Sequence, residues 1–87
     1  MSFMKNAYQN VTDKLDEISD KDIVILSEID ATRIFYSFYD EDNLLQDNFY
    51  FENDFERKSF FNMFEKTNGG KYLISGNSEL RTLIVVR

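Results

Sequence analysis

Residues Asn53–Lys71 read Asn-Asp-Phe-Glu-Arg-Lys-Ser-Phe-Phe-Asn-Met-Phe-Glu-Lys-Thr-Asn-Gly-Gly-Lys. Asn53 has the short acceptor side chain of a helix N-cap, and Glu56 follows three residues later, a variant of the capping box. Phe55, Phe60, Phe61, Met63 and Phe64 are the apolar groups of this stretch. Asn68-Gly69-Gly70 then stops it, because glycine accepts the left-handed conformation that ends helices. The pattern predicts a helix from Asp54 to Thr67, and the chain on either side of it reads differently.

Upstream lie three β-prone stretches. Ile23–Ile29 is β-branched and at first continuously apolar, as in a strand buried on both faces. Thr32–Tyr39 (Thr-Arg-Ile-Phe-Tyr-Ser-Phe-Tyr) and Asn48–Glu52 (Asn-Phe-Tyr-Phe-Glu) are aromatic strands, with the polar interval Asp40–Asp47 read as their hairpin connection. Downstream, Lys71–Ser75 and Leu80–Arg87 read as strands joined by Gly76-Asn77-Ser78-Glu79. At the start, Met4, Ala7, Tyr8, Val11, Leu15 and Ile18 have the three-to-four spacing of an amphipathic helix over Phe3–Ser19, with Ser2 as its N-cap. The expected fold is a single α+β domain over residues 1–87, in the order α-β-β-β-α-β-β. Its sheet is mainly antiparallel, with both helices packed on one face. Phe60, Phe61, Phe64, Ile25, Ile84 and Val86 are the expected core.

Composition closes off most chemistry. The 87 residues contain no His, Cys, Pro or Trp. Disulfides, thiolate sites and Cys/His zinc sites are therefore excluded, as are Cys–His and Ser–His–Asp catalysis, which need an imidazole. The apolar runs Ile23–Leu26 and Leu83–Val86 are far shorter than the ~20 residues of a membrane-spanning helix. Met1–Asn6 lacks the charged start and apolar stretch of a signal peptide. A soluble cytoplasmic protein is expected.

Charge is uneven. Sixteen Asp and Glu face ten Lys and Arg, for a net charge of −6. Residues 31–56 hold seven carboxylates against Arg33 alone, whereas residues 57–87 hold six cations against Glu65 and Glu79. Such a field steers association with a basic partner and opposes direct binding of nucleic acid. An acidic surface also serves solubility, but a purely solubilising surface intersperses both signs. Between Asp40 and Glu56 there is no Lys or Arg at all. Asp40, Glu41, Asp42, Asp47, Glu52, Asp54 and Glu56 are accordingly the candidate partner-binding residues.

Other motifs carry little. Counted from Asp40, a calcium loop would need Gly at its sixth position and Glu at its twelfth, where Leu45 and Phe51 stand. Gly69-Gly70-Lys71 lacks the upstream Gly and following Ser or Thr of a phosphate-binding loop, and it follows a helix instead of preceding one. No metal or cofactor is expected. Arg33–Tyr39 is a poor match to the basic, glycine-containing signature of RNA-recognition sheets. Its alternation places aromatic groups on both faces of one strand, so Phe35, Tyr36, Tyr39 and Tyr50 are candidates for self-association in a homodimer.

In length, charge and lack of catalytic residue types, the chain resembles as a class the small acidic inhibitors of phages and other mobile elements. Some of those occupy a host enzyme's nucleic-acid channel by presenting carboxylates where phosphates would sit. The resemblance implies a non-enzymatic inhibitor or modulator in the host cytoplasm, docking on a basic surface that itself binds nucleic acid. The alternative expectation is a structural or adaptor protein that self-associates through its aromatic strands.

Overall fold

A computed structural model describes residues 12–73 and 79–86. In chain order they form helix α1 (helical across 12–19), β1 (Ile23–Asp30), β2 (Arg33–Asp40), β3 (Asn43–Tyr50), helix α2 (Asp54–Asn68), β4 (Lys71–Leu73) and β5 (Thr82–Val86). The five strands make one antiparallel sheet in the order β3-β2-β1-β5-β4. The fold is α+β with the expected element order. The expected helical positions Ser2 to Val11 and the turn at Gly76-Asn77-Ser78 lie outside the described residues.

The local signals act as read. Asn53 caps α2 by accepting from the Glu56 N–H at 2.9 Å, and the Glu56 carboxylate reaches back to the Glu52 N–H at 3.3 Å. At the other end Gly69 has φ 70° and its N–H donates to the Glu65 carbonyl at 2.7 Å. The 15 residues of α2 span about 22 Å, close to the roughly 19 Å between the outer strands of a five-stranded sheet. The helix thus carries the chain across the sheet, from the β3 edge to the β4 edge.

Pairing register shows how the core is assembled. Residues opposite one another in an antiparallel pair share a face. Val24, Leu26, Ile34, Tyr36, Phe38, Phe49, Leu83 and Val85 all point to one side, where they are buried with Leu15 and Ile18 of α1 and Phe60, Phe61 and Phe64 of α2. Tyr36 stacks on Phe49 at 4.6 Å between ring centroids, and Phe49 meets Phe60 at 4.8 Å, fastening α2 to the sheet through aromatic contacts.

The structure corrects several expectations. The β2–β3 connection is the two-residue turn Glu41-Asp42, and β3 begins at Asn43 rather than at Asn48. Asn43–Asp47, where Leu44 and Leu45 stand among polar residues, is strand because it pairs as an edge with Tyr36–Asp40 of β2; backbone hydrogen bonds there do not depend on side-chain alternation. Ile25 and Ile84 are only half-buried and Val86 is 72% exposed, since the alternate residues Val24, Leu26, Leu83 and Val85 face the helices. A strand buried on both faces would need a layer on each side, and both described helices lie on the same side. Phe55, one residue into α2, is 75% exposed.

Candidate binding surfaces

The seven candidate carboxylates border the edge strand β3 without forming one cluster. Asp40 ends β2 and Glu41 and Asp42 form the turn before it, while Glu52, Asp54 and Glu56 lie after it. From Asn43 to Tyr50 the strand runs for about 24 Å, which separates the two groups. Asp47 lies between them, opposite Tyr36 in the ladder. Six are exposed and Glu56 is half-exposed.

Their local roles differ. Asp40 pairs with Lys21 at 3.1 Å, and the Lys21 ammonium also lies 5.8 Å from the Phe38 ring centroid. Asp54 pairs with Lys58 at 3.5 Å within α2, and both Asp54 and Glu56 place negative charge in the first turn, where the helix dipole favours it. Asp47 accepts the Asn48 N–H at 2.8 Å. It also contributes to the field that raises the Lys14 pKa, behind the Glu17 hydrogen bond that is the main cause. No Lys or Arg among the described residues forms an ion pair with Glu41, Asp42, Asp47 or Glu52. Among the described residues no three carboxylates converge as ligands of a metal ion.

The aromatic candidates divide between the two sides of the sheet. Tyr36 is 6% exposed and faces the helices; burial pushes its phenol pKa up, and it contributes no outer surface. Phe35, Tyr39 and Tyr50 lie on the opposite side, with Tyr39 52% and Tyr50 70% exposed. No described helix covers that side. Ile23, Ile25, Leu44, Ile84 and Val86 share it in register.

A buried ionic group ties three elements together, and the residue-by-residue reading did not find it. The Glu28 carboxylate, from β1, is fully buried. It accepts from Arg81 Nε at 2.6 Å and from the Arg81 backbone N–H at 3.1 Å, just before β5. Arg57 of α2, also buried, brings its Nε within 2.9 Å of Glu28, an ion pair whose N–H points off the oxygen. Arg57 Nη1 donates to the Asp30 carbonyl at 2.6 Å. Arg81 in turn donates to Asn62 at 2.7 Å and lies 4.3 Å from the Phe61 ring centroid; the Glu28 hydrogen bond raises its pKa. Strand alternation held the clue, because Glu28 continues the inward series Val24, Leu26. A cavity of about 230 Å³ adjoins Arg57, lined also by Asp30, Ala31, Asp54, Lys58, Glu79 and Leu80. It mixes both signs of charge, and its cations Arg57 and Lys58 already pair with Glu28 and Asp54.

The chain matches no protein-family model, and neither the curated proteins nor the solved structures give a match to it. No helix among the described residues is long and apolar enough to cross a membrane.

Proposed function

We propose that this is a non-enzymatic binding protein, an inhibitor or modulator of phage or mobile-element type, which docks through the border of β3 on a basic surface of a partner protein. The supporting observation is the run of exposed carboxylates along that border, of which Glu41, Asp42, Asp47 and Glu52 are not neutralised by any described cation. Placed at both ends and the middle of an edge strand, they present spaced negative charge over about 24 Å. A groove built to hold nucleic acid carries the opposite charge and is the fitting partner. Charges of this kind act mainly on the association rate and its salt dependence.

The test immobilises the full chain and, in parallel, the variant Glu41→Gln, Asp42→Asn, Asp47→Asn, Glu52→Gln, and captures partners from a bacterial lysate over a salt gradient. The reading requires basic proteins that the wild type retains at low salt and releases as salt rises, with several-fold slower association to the fourfold variant. Equal capture by both proteins, with unchanged salt elution, would mean that the border only keeps the domain in solution.

A further inference from the structure

We propose that the face of the sheet that no described helix covers is the docking surface for a second copy of this chain. Three observations carry this, and none involves the carboxylates of the β3 border.

The first is apolar exposure in the wrong place for a monomer. Ile23, Tyr39, Leu44, Tyr50 and Val86 are all exposed and lie on this one face by pairing register. Half-buried Ile25, Phe35 and Ile84 fill the ground between them. Scattered exposed apolar residues need no explanation, but a contiguous patch on one face marks an interaction site. Tyrosine is suited to it, offering a large flat group with one wet end.

The second is charge. In a chain of net charge −6, the interior of this face carries no charged side chain among the described residues: its polar positions besides tyrosine are Ser27, Ser37, Gln46, Asn48 and Thr82. Its ions stand at the margins, where Arg33 is bridged to Asp30 at 3.0 Å and Lys71 lies on the β4 side. A basic or acidic partner gains nothing from such a face. A second copy meets it with the same neutral surface, and two-fold symmetry asks only that the patch complement itself.

The third is size. The 29 residues of β1, β2, β3 and β5, at about 4.8 Å per strand and 3.4 Å per residue, cover about 470 Å². Two such faces stacked at the usual sheet-to-sheet distance bury about 940 Å², which side-chain relief brings to the roughly 1,000 Å² that an interface needs at the least.

The test is sedimentation equilibrium of the full chain at low and high salt. The expected result is a dimer that strengthens as salt rises, because screening removes repulsion between two chains of charge −6 while the neutral contact persists. Tyr39→Lys and Tyr50→Lys, both at exposed positions, should each weaken association by about tenfold or more while the circular dichroism spectrum and melting transition are kept. Phe55→Lys, equally exposed but on α2, should leave it unchanged. A wild type that stays monomeric to its solubility limit would overturn the proposal, as would a dimer that tolerates both tyrosine substitutions. Partner capture through the acidic border has the opposite salt dependence, so either proposal can fail without the other.

Discussion

Adjacent glycines after α2 do different work. Gly69 needs only its left-handed backbone, with open space where a Cβ would go. Gly70 combines φ 139° with a close approach to β5, so that a Cβ would sit 2.5 Å from the Ile84 carbonyl oxygen. Gly69→Ala should therefore cost about 1–2 kcal/mol, and Gly70→Ala about 3 kcal/mol or more; urea titration of the two variants separates them. Equal losses would mean that the contact with β5 is not tight. At the β2–β3 turn Glu41 adopts φ 58°, a conformation that favours glycine, and holds it without one. Tyr36 makes a pH prediction. Burial raises its phenol pKa above the ordinary 10.0, so the folded state holds the proton more tightly than the unfolded state. Its stabilising share is complete below pH 10.0 and is lost as pH rises through the raised value. Melting curves above pH 10.0 should fall more steeply for the wild type than for Tyr36→Phe.

For the elements, the energetics concentrate where α2 meets the sheet. Phe64 is fully buried among residues of both layers and Phe55 is not. Phe64→Ala should cost about 3–5 kcal/mol, and Phe55→Ala no more than about 0.5 kcal/mol, measured by denaturant titration. A loss below about 1 kcal/mol for Phe64→Ala would place the wrong helix face against the core. Glu28 joins β1, α2 and the start of β5 by holding two arginines. Removing it strands the buried Arg57 guanidinium without its anion. Glu28→Ala should cost about 3–5 kcal/mol; a near-neutral result would show that Arg57 finds solvent when the partner is gone.

On the scale of the whole molecule, two surfaces meet along β3: an acidic border and a neutral apolar face. Salt acts on them with opposite sign. Raising ionic strength from low to physiological shortens the screening length to about 8 Å, which weakens attraction to a basic partner and relieves repulsion between like chains. A titration of salt against sedimentation and against partner capture should give slopes of opposite direction. A shared direction would mean that one surface serves both contacts. In a two-fold dimer through the open faces, the β3 borders stay outside the contact, so each dimer offers two of them.

The elements were legible because their signals are local. Asn53 and Glu56 cap with bonds to residues within four positions, Gly69 ends α2 through its own φ, and alternating or helical spacing of apolar residues needs no partner to be read. β3 was not legible over Asn43–Asp47, since an edge strand draws its bonds from β2 and the adjacent Leu44 and Leu45 break the alternation that marks a strand. Nor did spacing tell which side of β1 and β5 faces the helices: Ile25 and Ile84 are as apolar as Val24 and Val85, and only the packing of α1 and α2 on one side distinguishes them. The seven carboxylates were countable along the chain, but their spread along β3, with Asp47 between two end groups, is set by the hairpin. The Glu28–Arg57–Arg81 group joins residues up to 53 positions apart, and the sheet face that no described helix covers exists only once the strands are paired. Local backbone preferences lie in the order of residues, whereas burial, ion pairing across elements and open surface arise from contacts that the folded chain alone brings together.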